Sequence, residues 1–114
     1  IHGEAGRRRE EIQFANSITD TLLESISADL DLHSGERVLA MVNGLGGTPQ
    51  QELYIVYGQV HRSLQAMGIS IERSLVGNYV TSLDMAGCTI TLLRLDDELL
   101  RLWDAPVHTV SLRW

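Results

Sequence analysis

Helix-like and strand-like segments alternate along these 114 residues, which predicts one domain of α/β class. The run Arg37-Val38-Leu39-Ala40-Met41-Val42 is continuously apolar over a strand's length, as expected for a strand covered on both faces or at a sheet centre. A glycine-rich turn and a helix start follow it directly. Cys88-Thr89-Ile90-Thr91-Leu92-Leu93 supplies a second strong strand signal further on. A hydrophobic content of 44% is enough for one core in a chain of this length.

Taken in order, residues 1–14 carry glycines and charges without a sustained period and read as loop or edge. Asn16 or Ser17 is placed to cap a helix, whose apolar stripe is Ile18, Leu22, Ile26 and Leu30. Turn chemistry in Asp31-Leu32-His33-Ser34-Gly35-Glu36 ends it before the strand at 37–42. The next helix has the sharpest start, with Thr48 as cap, Pro49 in the first helical position and Gln51 completing a capping box. It runs through Leu53, Val56, Tyr57, Val60 and Leu64 to Gly68, a left-handed cap. Residues 69–76 form a second strand with Ile69, Ile71 and Leu75 on one side. A bend at Gly77-Asn78 and the small-residue connection 81–87 lead to a third strand over 88–95. Asp96, Asp97 and Glu98 place negative charge in the first turn of a short helix through Trp103, where the helix dipole favours it. Pro106 stops that helix, and 107–114 is a final extended segment. Repeats, low-complexity tracts and linkers are absent from the sequence.

Nine basic and fifteen acidic residues give a net charge of −6, the wrong sign for binding a phosphate backbone. Glu10 and Glu11 locally cancel the Arg7-Arg8-Arg9 run, so it reads as a solvated stretch. The lone cysteine, Cys88, excludes an internal disulfide and reads as a small buried hydrophobe rather than a nucleophile. With neither a signal peptide nor a membrane-length apolar run in the sequence, a cytoplasmic location is the expectation.

A strand, then Asn43-Gly44-Leu45-Gly46-Gly47, then a helix start is an arrangement that can bind phosphate through backbone N–H groups. The specific fingerprints fail. A P-loop needs a lysine that is missing here, and a dinucleotide fingerprint beginning at Gly44 would put Pro49 where a small residue belongs. A tight turn packing the helix onto its strand is the better reading. His33 belongs to a polar turn and reads as surface, and His61, in the second helix beside Arg62, reads as solvated or partly packed. His108 is open to a core or a functional role. No pair has metal-ligand spacing, so no metal site is expected. On its own, His2 reads as an ordinary loop histidine.

Longer motifs change that reading. Ile1-His2-Gly3-Glu4-Ala5-Gly6, Val42-Asn43-Gly44-Leu45-Gly46-Gly47-Thr48-Pro49, Leu75-Val76-Gly77-Asn78-Tyr79-Val80-Thr81-Ser82-Leu83-Asp84-Met85-Ala86-Gly87 and Asp104-Ala105-Pro106-Val107-His108-Thr109 together resemble the C-terminal part of the substrate-binding K subunit of dihydroxyacetone (glycerone) kinases. The resemblance spans nearly the whole chain. Ala5 replaces the family's usual proline, and Val110-Ser111 replaces a Pro-Ala pair; neither change removes a reactive group.

The resemblance implies a two-layer α/β sandwich with a mixed sheet, the second domain of that fold, over residues 1–114. It implies a catalytic role for His2, which in the family bonds covalently to the substrate's carbonyl carbon as a hemiaminal. Glu4, two residues on, is a candidate to orient the ring, with a plain solvated glutamate as the alternative. The family's general base and remaining substrate contacts belong to an N-terminal domain outside this sequence, so the chain by itself is expected to be inactive. Nucleotide and magnesium are expected on a partner L subunit or domain, and no cofactor on this one. The ending Leu112-Arg113-Trp114 resembles stand-alone K subunits served by a phosphotransferase-system phosphoprotein. A homodimer is expected, with no nucleic-acid or membrane partner. The rival readings are a non-catalytic dihydroxyacetone-binding regulator and a structural dimerisation module.

Overall fold

In the computed structural model, which describes Gly6 and residues 8–114, the order is α1 (Ala15–Leu30), β1 (Arg37–Gly44), α2 (Gln50–Ala66), β2 (Ser70–Gly77), β3 (Cys88–Arg94) and α3 (Asp97–Trp103). The strands form one sheet in the order β2-β1-β3. β1 runs parallel to β2 and antiparallel to β3, so the sheet is mixed, as expected. The parallel pair needs a crossover, and α2 supplies it.

Central β1 is the most buried strand, which accounts for its unbroken apolar sequence. Val38, Ala40 and Val42 point to one face, where α2 lays down Leu53, Val60 and Leu64, α1 adds Leu23, and β3 contributes Leu92. Each fully buried leucine or valine adds about 1.5–3 kcal/mol of transfer free energy. Helices α1 and α2 thus form one layer and the sheet the other. α3 hangs from strand residues of opposite parity: the Arg37 guanidinium lies 2.7 Å from Asp97, and Arg73 makes two 2.7 Å bonds to the carboxylate of Asp104.

Several boundaries and faces differ from expectation. Helix α1 starts at Ala15, with Phe14 in the cap position and no side-chain cap bond. Asn16 and Ser17 therefore lie inside the first turn, where Thr19 and Thr21 return their hydroxyls to the carbonyls of Ala15 and Ser17. The buried face of α1 is Thr19, Leu23 and Ser27. Of the expected stripe, Ile26 and Leu30 pack on the core, but Ile18 and Leu22 are 40% and 37% exposed. A four-residue spacing advances about 40° per step around a 3.6-residue helix, so such a row winds from the outer side to the inner.

Helix α2 begins one residue later than expected, with Pro49 in the cap position and no capping box. Gly68 ends the turn after α2 with φ +75°, as its sequence position suggests. In β2, the register shifts between Val38 and Leu39, leaving Glu72 as the extra residue. That bulge reverses parity, so Ile71 and Val76 face the core while Leu75 pairs with Met41 on the other side. α3 is capped as its sequence indicates: Asp96 accepts from the Leu99 N–H at 2.7 Å. The segment after Pro106 folds back on itself rather than extending. His108 bridges Arg113, and Trp114 stacks on Trp103 with centroids 4.9 Å apart. Among the described residues, no helix is long and apolar enough to cross a membrane.

Candidate functional site

One hydrogen-bonded cluster of polar groups lies at the C-terminal ends of β1 and β2, the edge at which open α/β sheets place ligands. Asn43, the penultimate residue of β1, is 2% exposed yet fully partnered. Its Oδ1 accepts from the N–H groups of Tyr79 (2.9 Å) and Val80 (2.8 Å), while Nδ2 donates to the Val80 carbonyl at 2.8 Å and to Thr89 Oγ1 at 3.4 Å. One amide side chain thus substitutes for a strand partner along the start of the 78–87 loop.

The glycine turn continues the attachment. A Cβ on Gly44 would run into Asn78 Oδ1 and come within 2.9 Å of Leu53 Cδ1, so any larger residue would force both side chains to move. Gly46, at φ +104°, donates its N–H to Asn78 Oδ1 at 3.3 Å. The Leu45 N–H bonds the Gly87 carbonyl, and the Gly47 N–H bonds the Met85 carbonyl at 2.9 Å. Thr48, expected to cap α2, instead exchanges bonds with Gly87. Its hydroxyl donates to the Gly87 carbonyl (2.9 Å) and accepts from the Gly87 N–H (2.8 Å). With Pro49 in the cap position, Thr48 lies one residue before it, and no capping box forms.

The N–H groups of Leu45, Gly46 and Gly47, which a phosphate would need, are all spent within the protein. With no lysine nearby, the turn does not fit a nucleotide phosphate. Among the described residues, no group of three or more His, Cys, Asp or Glu side chains is arranged to hold a metal. The turn packs α2 onto its strand, as the sequence reading favours.

The individual candidates fall as follows. His2 and Glu4 lie outside the described residues. His33 is exposed, with Nε2 3.4 Å from the Asp31 carboxylate. His61 is exposed on α2, and exposed His108 bridges Arg113 through the backbone, which removes a core role. Cys88 packs against the core, and burial pushes its thiol above the ordinary range, making it a poorer nucleophile. Sequence reasoning missed Asn43 as the organiser of the loop. Its only signal was a polar residue ending an apolar strand, which also describes an ordinary turn.

The described chain is therefore a two-layer α/β unit whose polar edge is hydrogen-bonded within itself. Its kinship is plain from comparison: the Dak1 domain matches residues 1–111, and the chain belongs to that family. It is 59% identical over 83 residues to the dihydroxyacetone-binding subunit of a PEP-dependent dihydroxyacetone kinase from Escherichia coli, covering 73% of this chain and 23% of that one. The corresponding subunit of PTS-dependent dihydroxyacetone kinase 2 from Listeria innocua is 45% identical over 109 residues, covering 96% and 33%. A solved structure of a dihydroxyacetone kinase operon co-activator superposes with a TM-score of 0.85 at 33% identity, over 93% of this chain and 34% of that one. The chain thus spans about a quarter to a third of the length of these proteins.

Proposed function

We propose that this chain is the C-terminal part of a dihydroxyacetone-binding subunit, and that His2 holds the substrate carbonyl of a dihydroxyacetone kinase as a covalent hemiaminal. What carries the reading is the Ile1-His2-Gly3-Glu4 motif at the start of a Dak1 match that runs to residue 111. The unprotonated ring nitrogen attacks the ketone carbon, the carbonyl electron pair moves to oxygen, and that oxygen takes a proton as the ring releases its other one. Glu4 is placed by sequence to accept that ring N–H. The covalent bond compensates for the few contacts so small a ligand can make, and it rejects glycerol, which lacks the carbonyl. It also fixes the terminal hydroxyl for phosphoryl transfer, in which positioning does much of the catalysis. The general base belongs to an N-terminal domain, and nucleotide with magnesium to a partner L subunit or a fused domain, so the 114 residues alone are inactive. The same reading places the protein in the cytoplasm as a homodimer.

Crystals of the longer protein soaked with dihydroxyacetone test the reading. Continuous density from His2 to a tetrahedral carbon is expected, and His2→Ala should abolish it together with the preference over glycerol. Ligand bound without that bond, or equal affinity for glycerol and dihydroxyacetone in the unmutated protein, overturns the role of His2.

A second reading has its own observation, the superposition on an operon co-activator at a TM-score of 0.85. On that reading the subunit binds dihydroxyacetone and regulates instead of catalysing. Phosphorylation of dihydroxyacetone by the longer protein with its nucleotide-bearing subunit distinguishes the two: turnover supports the kinase, and ligand binding without turnover supports the regulator.

A further inference from the structure

None of residues 78–87 is buried: Leu83 is fully exposed, and Val80 is 70% exposed. A connection with no fully buried side chain ordinarily frays. This one is instead bonded along its length to residues 43–48. Asn43 holds Tyr79 and Val80. The Leu45 carbonyl accepts from the Ser82 N–H, the Ser82 hydroxyl and the Met85 N–H. Gly47 takes Met85, and Thr48 takes Gly87 in both directions. All these partners sit on one short turn, so the bonds share a single rigid platform and support each other. The loop also covers Leu45, which is 7% exposed and faces the position a Cβ of Gly87 would take.

We infer that residues 78–87 form a latch: a single cooperative unit, locked to the 43–48 turn through Asn43 and Thr48, that releases as a whole while the sheet stays folded. Polar bonds at a solvent-facing edge can be exchanged for water at little net cost, whereas the core beneath cannot. Release uncovers the C-terminal ends of β1 and β2 and frees the N–H groups of Leu45, Gly46 and Gly47. The inference does not depend on the reading of His2.

Amide hydrogen exchange by NMR tests it, with Tyr79, Val80, Ser82, Met85 and Gly87 as reporters at the two ends of the latch. Thr48→Val keeps the side-chain shape and removes both bonds to Gly87. It should accelerate exchange about tenfold at Met85 and Gly87 and equally at Tyr79 and Val80, which touch Asn43 and not Thr48, while β1 amides keep their rates. Asn43→Ala should reproduce the pattern from the other end. Acceleration confined to Met85 and Gly87 in Thr48→Val, or spreading to β1, overturns the latch. If Asn43→Ala does not fold, Thr48→Val decides by the same criterion.

Discussion

Gly44 and Gly58 show how little a glycine in a sequence says about its task. At Gly44 a methyl group would collide with Asn78 Oδ1 and crowd Leu53 Cδ1, so both side chains would have to give way where the strand end meets the helix. Gly58 lies inside α2, where an added Cβ would meet nothing nearer than the Arg62 guanidinium at 3.5 Å. Gly44→Ala should therefore destabilise the fold by about 1–3 kcal/mol through overpacking. Gly58→Ala should instead stabilise it by about 0.5–1 kcal/mol by restricting the unfolded helix segment. Urea midpoints of the two variants check both signs, and a shift in the same direction for both would refute this assignment. Asn43 carries the same lesson for side chains. Its four hydrogen bonds reach three residues that lie 36 to 46 positions away, beyond any local pattern. His2 and Glu4 stand at the opposite extreme, since family resemblance alone singles them out.

At the scale of elements, the sequence was readable wherever one period dominates. β1 announces itself as an apolar run because it is the central, buried strand, and α2 buries Leu53, Val60 and Leu64 as its pattern requires. Legibility failed where a second geometry intervened. The winding of a four-residue row around α1 turned Ile18 and Leu22 outward, and the bulge at Glu72 moved Leu75 to the other face. Thr48 lies one residue before the cap position, and its hydroxyl is bonded to a distant loop that a local capping rule does not see. Adjacent leucines of α1 make the correction measurable. Leu23, 2% exposed, should cost about 2–5 kcal/mol when changed to alanine, by lost transfer energy plus the cavity left behind. Leu22→Ala, at a 37% exposed position, should cost less than about 1 kcal/mol. Equal losses at the two sites would restore the stripe read from the sequence.

Across the whole molecule, the two helices of one layer, and the outlying α3 and the sheet, are joined by polar ties whose strength depends on pH. Asp20 of α1 accepts hydrogen bonds from Gln59 and Ser63 of α2, which, with Arg62 nearby, hold its carboxyl below the ordinary range. Asp104, just after α3, is held low by its paired bonds to Arg73 of β2. A carboxylate whose folded pKa lies below its unfolded value binds protons more readily when unfolded, so it stabilises the fold at higher pH. Both contributions are complete above about pH 4, the unfolded carboxylate range, and disappear as pH falls through the lower folded values. Because both groups face solvent, the effect is modest, and salt screens the Arg73 pair. Stability measured by urea unfolding should therefore decline between about pH 4 and pH 2. Asp20→Asn and Asp104→Asn combined should lower stability at pH 7 and shrink that acid decline, because the variant has no carboxylate left to protonate at either joint. If the double variant loses stability at pH 7 but falls as steeply in acid as the parent, these two joints do not set the acid limit, and other carboxylates must.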